Sequence, residues 1–212
     1  MIEIRALSKK FGSHLSLDNV TCTFAKNDSI ALMGANGAGK TTLVRSIMGY
    51  YHPTSGAVLI NGENPIKNRT KVLENISFVP QLPPPIKLSV TELLHYITTS
   101  ADVEKERIEY FASEMKLDLR ANMNKSFFKL SGGMKQKLLI AVSLAKKSDI
   151  IIYDEPTANL DPKARDDFYR LLEKNETGKI VLFVTHRLEE VKALVNRQIY
   201  MDLGKIVSDE RV

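Results

Sequence analysis

A single cysteine, Cys22, is all the thiol chemistry in this chain of 212 residues. That excludes a disulfide framework or a Cys-based metal site within one chain, and it fits a reducing cytosol. Cys22 lies in an apolar stretch, where a buried, unreactive thiol is the expected state. Long hydrophobic runs are also lacking. The longest, Ile150–Tyr153 and Ile180–Val184, are strand-sized and far short of the ~20 residues that span a bilayer. The N-terminus, Met1-Ile2-Glu3-Ile4-Arg5, carries charge at once and has none of the apolar core of a signal peptide. Any membrane association must therefore come through a partner. No repeat or low-complexity tract occurs. Charge is not segregated either: 30 basic against 25 acidic residues leave a net +5, scattered along the chain, and this names no nucleic acid or lipid surface. With 43% hydrophobic and 26% charged residues, what remains is an ordinary globular composition, expected to form one domain with ample core.

Against that background one stretch stands out. Gly34-Ala35-Asn36-Gly37-Ala38-Gly39-Lys40-Thr41-Thr42 fits G-x-x-x-x-G-K-[ST], the Walker A phosphate loop. Glycines at 34, 37 and 39 let backbone N–H groups turn inward around a polyphosphate, in conformations that a Cβ obstructs. Lys40 then reaches the terminal phosphates and the Thr41 hydroxyl is placed to ligate Mg²⁺. The required context is present. Ser29–Met33 reads as a short apolar strand, and Thr41–Met48 as a helix with Leu43, Ile47 and Met48 on one side, so the helix N-terminus adds its partial positive charge.

The rest of the chain predicts an α/β fold. Residues 2–7 and 15–24 alternate like half-buried antiparallel strands. Pro53-Thr54-Ser55-Gly56 reads as a turn, Ala57–Ile60 as a strand, Asn61-Gly62 as a hairpin signal and Ile76–Val79 as a further strand. Beyond the stiff Pro83-Pro84-Pro85 segment the pattern becomes helical from Ser89 to about Leu119, with Ser89 and Glu92 spaced as a capping box. Strands at Ile150–Tyr153 and Ile180–Val184 follow, with helices at 162–174 and 187–195 and a closing hairpin at Asp202-Leu203-Gly204. Alternating strand and helix implies a mainly parallel sheet with right-handed crossovers. The expected organisation is a nucleotide-binding core (1–81 and 148–212), with an N-terminal antiparallel β subdomain and an inserted helical subdomain (82–147).

Two further elements carry chemistry. Asp154-Glu155 closes the apolar strand 150–153, and ligands of such sheets collect outside the carboxyl ends of the strands. Asp154 is the candidate to hold Mg²⁺, and Glu155 the candidate to polarise a water for in-line attack on a γ-phosphate. Leu130-Ser131-Gly132-Gly133 precedes a long helix with Leu138, Ala141, Val142 and Ala145 on one face. This is a second helix-start anion site, for a separate ligand or for one shared between molecules. A plain N-cap with a flexible entry accounts for the same residues.

Taken in order, Walker A at 34–42, Leu-Ser-Gly-Gly at 130–133, Ile-Ile-Ile-Tyr-Asp-Glu-Pro at 150–156, Asn-Leu-Asp at 159–161 and His186 resemble the ATP-binding subunit of an ABC transporter, over essentially the whole chain. The resemblance implies a P-loop NTPase fold, ATP and Mg²⁺ as cofactors, and ATP hydrolysis in a head-to-tail dimer that drives separate membrane permease subunits. It implies roles as well. Gln81 matches the Q-loop glutamine touching Mg²⁺ or the attacking water, and His186 the switch histidine on the γ-phosphate. Phe11 matches the aromatic that stacks on adenine, with core packing as its competitor. Asp161 matches the D-loop aspartate at the dimer seam, with a helix N-cap as the simpler reading. Ser131, Gly132 and Gly133 would cover the partner's ATP. Met134 and Lys137 depart from the commoner Gln and Arg. The stretch 124–129 lacks the segment of fused multidrug exporters, and the chain ends soon after Gly204, so a stand-alone subunit is expected. The Ser131–Gln136 stretch and small size lean towards ABC-2-type exporters. A soluble, non-transport ABC ATPase is the alternative. No nucleic-acid partner is expected, and the place of action implied is the cytoplasmic face of the membrane.

Overall fold

The computed structural model describes residues 1–175 and 178–212. The chain begins with a long ribbon, β1 (Ile2–Phe11) and β2 (His14–Phe24), paired antiparallel. β4 (Ser55–Ile60) joins it on the other side of β1, giving a three-stranded sheet of order β2-β1-β4. Ile2, Ile4 and Leu7 face inward, and the alternation breaks where register shifts accompany Ala6 and Asn19 at positive φ. Such bulges coil a ribbon and re-aim its far end.

The second sheet has the order β5-β6-β7-β3-β8-β9, from β3 (Ser29–Met33), β5 (Ile76–Val79), β6 (Ile150–Asp154), β7 (Ile180–Val184), β8 (Arg197–Asp202) and β9 (Lys205–Arg211). β7, β3 and β8 run parallel and β9 closes antiparallel, through a turn with Leu203 and Gly204 both at positive φ. Every residue of β7 is buried, as are the first four of β6, which is why these strands read as unbroken apolar runs.

By contact the chain divides into two compact units: residues 1–76, 149–152 and 178–212 in the first, and 77–148 with 153–177 in the second. In the first, α1 (Lys40–Ile47) packs Leu43, Val44 and Ile47 inward and lies against β2 and β4. Cys22 is buried there, and desolvation pushes its thiol up to about 12, so it stays protonated and inert. The second unit holds α3 (Val90–Ser100), α4 (Lys105–Glu114), α5 (Gly132–Ala145) and α6 (Pro162–Asn175). α4 packs on α5 through Ile108, Phe111 and Ala112, and α5 on α6. The capping box forms: Ser89 Oγ accepts from the Glu92 N–H, and Glu92 Oε2 accepts from the Ser89 N–H at 2.7 Å.

Three expectations need correction. Asn61-Gly62 makes a tight turn in which Ile60 and Glu63 exchange backbone bonds of 2.8 and 2.9 Å, but no second strand follows. The Asn64 carboxamide oxygen accepts from the Ile66 and Lys67 N–H groups, and this turn leads the chain away into α2 (Arg69–Glu74), which the pattern did not reveal. Of the helix expected over 187–195, only α7 (Leu188–Val191) is α-helical. Its flanks tighten into i→i−3 bonds, Glu190 to Arg187 and Leu194 to Val191. Finally, Ser55 and Gly56 belong to β4 rather than to the turn before it.

Candidate functional site

β3 ends at Met33 and α1 begins at Lys40, so residues 34–39 form the loop between a buried strand and a helix start. Gly39 caps α1 at φ +101 with no side-chain cap, and no acidic residue occupies the first turn. The first helical bond closes at Leu43 N–H to the Gly39 carbonyl, 2.9 Å, so the N–H groups of the first turn point out of the helix end, the arrangement that suits an anion. Gly34 sits at φ +142, where a Cβ would collide with the Met201 carbonyl oxygen; one on Gly39 would come within 2.7 Å of the Ser16 carbonyl. The Lys40 ammonium folds over the loop and donates to the Gly34 and Ala35 carbonyls at 2.6 and 3.0 Å. Asn36 and Gly37 at the crest are exposed, Ala38 is buried with its N–H on the Ala35 carbonyl, and Thr42 shares a 2.8 Å bond with Ser16 Oγ. Thr41 lies in the first turn of α1.

What holds this loop from behind was not visible in the sequence. The β8–β9 turn lies against it, with the Gly204 N–H donating to the Ala38 carbonyl and its carbonyl accepting from Asp18 N–H. Lys205 and Asp18 form an ion pair at 3.1 Å alongside.

Phe11, at the end of β1, is 42% exposed, which removes core packing as its role. Tyr51 stands edge-on to it at 5.0 Å between centroids, and Lys9 Nζ lies 4.9 Å from the Phe11 centroid. Arg45 donates to the Tyr51 hydroxyl at 2.7 Å. Sequence reading missed Tyr51, which only the pairing of β1 with β4 brings beside Phe11. His186 follows β7 in the same unit, exposed, with Arg187 Nε 3.4 Å from its Nε2.

The remaining candidates lie in the second unit. Asp154 ends β6 and Glu155 follows it, both half-buried. Glu155 adopts φ +46, a left-handed backbone that few non-glycine residues occupy and that the following Pro156 restricts further. Strain of this kind persists where surrounding structure holds it, and it gathers at functional positions. Ser131 caps α5, its Oγ accepting from the Met134 N–H at 3.2 Å, and Gly132 and Gly133 form the first turn with no acidic residue among them. Asp161 Oδ1 accepts from the Ala164 N–H at 2.9 Å, so the aspartate caps α6 ahead of Pro162. That bond holds its carboxyl below the usual carboxylate range. Gln81 is exposed, and its backbone carbonyl accepts from Asn159 Nδ2 at 3.3 Å.

Each metal candidate taken from the sequence carries a hard oxygen: the Thr41 hydroxyl in the first unit, and the Asp154 carboxylate and Gln81 amide oxygen in the second. These suit Mg²⁺, which also keeps waters and substrate phosphates as ligands and so needs few protein groups. Among the described residues no group of three or more His, Cys, Asp or Glu side chains gathers for a metal.

Comparison with known proteins agrees with this architecture. A family model described as "ABC transporter" matches residues 17–158. The arginine transport ATP-binding protein ArtM of Bacillus subtilis is 34% identical over 219 aligned residues, covering 99% of this chain and 90% of that protein. The Nod factor export ATP-binding protein I of Cupriavidus metallidurans is also 34% identical, covering 99% of this chain and 70% of its own. Among solved structures, a dimeric ATP-binding cassette in a post-hydrolysis state bound to ADP and Pi superposes with a TM-score of 0.85 at 26% identity, covering 100% of this chain and 98% of that one. The chain belongs to the ABC transporter family, as an ATP-binding domain with the P-loop NTPase fold, and it is an ATPase.

Proposed function

We propose that this chain is the motor subunit of an ABC-2-type exporter, working as a head-to-tail dimer beneath separate membrane permease subunits, at the cytoplasmic face of the membrane. ATP seats its phosphates on backbone N–H groups of the loop and helix start at 34–42, with Lys40 on the terminal phosphates and Phe11 against the base. Ser131, Gly132 and Gly133 of a second copy, identical or homologous, cover the γ-phosphate. Bound Mg²⁺, held by Thr41, Asp154 and Gln81, would neutralise charge on the phosphate oxygens.

Glu155 orients and deprotonates a water that attacks the γ-phosphorus in line; the bond to the bridging oxygen breaks, and ADP and phosphate leave. His186 hydrogen-bonds the γ-phosphate and Gln81 senses it. ATP carries about four negative charges, and the second anion site gains its full interaction only while the γ-phosphate is present. ATP therefore closes the dimer, and hydrolysis releases it. The permease turns closure into transport, and cargo is chosen there.

One observation carries the reading. The starts of α1 and α5 both lack an acidic residue, whereas α3 has its positive end neutralised by Glu92. The exporter assignment adds the Ser131–Gln136 stretch. Glu155→Gln tests the mechanism: ATP binding persists, hydrolysis falls at least about a hundredfold, and ATP holds the variant as a dimer in size-exclusion chromatography. Equal turnover in variant and native protein would overturn it. Co-purification with ribosomes rather than detergent-solubilised membrane proteins would favour the soluble, non-transport class.

A further inference from the structure

Gln136 is the one fully buried amide on α5, in the second turn of a helix whose other buried positions (Leu138, Ile140, Ala141, Leu144) are almost all apolar. Its Nε2 donates to the Pro80 carbonyl at 3.3 Å, and its Oε1 accepts no hydrogen bond among the described residues. A leucine would fill such a place without burying a polar atom of its own, so the amide is there for its bond to the Pro80 carbonyl rather than for packing. One residue on, the Gln81 carbonyl accepts from Asn159 Nδ2, also at 3.3 Å. Asn159 in turn lies against the start of α5. A Cβ on Gly133 would come within 3.1 Å of the Asn159 carbonyl oxygen, and one on Gly132 within 3.7 Å of its carboxamide.

We propose that Gln136 and Asn159 are positioning residues that tie the backbone of residues 80–81 to the Ser131-Gly132-Gly133 helix start, so that any shift of Gln81 is felt at that start. The geometry forms a closed circuit. Two successive carbonyls, with no side chain of their own in the contact, are gripped by amides from two separate elements. Both elements lead back to the first turn of α5, one through the helix itself and the other through Asn159. Bonds of 3.3 Å lie at the long end of the normal range and can shorten or break with a small displacement. The open Oε1 gives Gln136 an acceptor for a second arrangement, which a two-position coupling element requires.

The inference rests on the proposed role of Gln81 and extends it. Its test is a double-mutant cycle in ATP hydrolysis by the full chain, with Gln136→Leu and Asn159→Ala each made alone and on a Gln81→Ala background. Either single change should lower kcat about tenfold while KM for ATP stays within about twofold. On the Gln81→Ala background the same changes should cost almost nothing further, because they act through residue 81. Gln136→Leu loses the donor to the Pro80 carbonyl and also the buried Oε1 that accepts no hydrogen bond, so it should melt within a few degrees of the native protein; if it fails to fold, the Asn159→Ala cycle decides alone. Full activity in both single variants beside an impaired Gln81→Ala overturns the inference. So do losses that multiply independently of Gln81. A Gln81→Ala protein as active as the native one removes the role given to Gln81 and this inference with it.

Discussion

Gly34, Gly37 and Gly39 all stand at positive φ, whereas Gly132 and Gly133 carry no such requirement and run directly into α5. In the first stretch, glycine is demanded by the local backbone and by the Met201 and Ser16 carbonyls packed against it. In the second it is a matter of surface: the nearest atoms a Cβ on Gly132 would meet belong to Asn159, at ordinary van der Waals distance, so glycine leaves the helix start bare. One glycine loop is a finished cradle, braced by β2 and the β8–β9 turn. The other is an open helix end, and the difference teaches that the same residue type can be demanded by the backbone in one place and leave a helix start bare in another, the start proposed above to meet a partner's ATP.

That contrast breaks first at Gly34. Gly34→Ala must either move the Met201 carbonyl or abandon φ +142, so we expect a stability loss of roughly 3 kcal/mol, by backbone strain and overpacking together, and no measurable ATP binding. Thermal melting and nucleotide titration check both. If Gly34→Ala binds ATP normally, the bracing by Met201 is not what shapes the loop.

Gly132→Ala is the matched control with a smaller effect. Alanine fits the space and favours helix by up to about 1 kcal/mol over glycine, so the melting temperature should hold or rise. ATP binding to the monomer should be unchanged, while ATP-driven dimerisation and hydrolysis fall about tenfold, since the added methyl stands at the helix start proposed to receive the partner's phosphate. Analytical ultracentrifugation with and without ATP reads the difference. A drop in melting temperature matching that of Gly34→Ala would erase the distinction between the two loops.

The sequence exposed the features that depend on neighbours along the chain. β3, the loop and α1 lie where the spacing put them, as does the Ser89–Glu92 capping box, because each rests on contacts within a few residues. What escaped depends on distant partners. Nothing near Gly34 announces Met201 and Gly204, and nothing near Phe11 announces Tyr51, since only strand pairing delivers them. Asn61-Gly62 encoded its turn faithfully, but the missing second strand was decided by Asn64. Gln136 did leave a signal, a lone amide among apolar positions of a helix. Its meaning required knowing that Pro80 lies opposite.

The finest test of the two helix ends turns on sign rather than size. α3 shows what this chain does when a helix start is purely structural: Ser89 and the glutamate three residues on satisfy each other's N–H groups. α5 has the serine but places Met134 where that glutamate would be. Met134→Glu would complete the box, adding about 0.5 kcal/mol to stability through the N-cap bond and the helix dipole. The same carboxylate would set a negative charge beside the site proposed for the partner's γ-phosphate. A like-charge pair about 8 Å apart, at an effective dielectric near 40, costs about 1 kcal/mol, enough to weaken ATP-driven dimerisation severalfold. A variant that melts higher yet dimerises less marks α5 as an end kept undercapped for an anion. If dimerisation rises along with stability, Ser131 is an ordinary cap and the anion site belongs elsewhere.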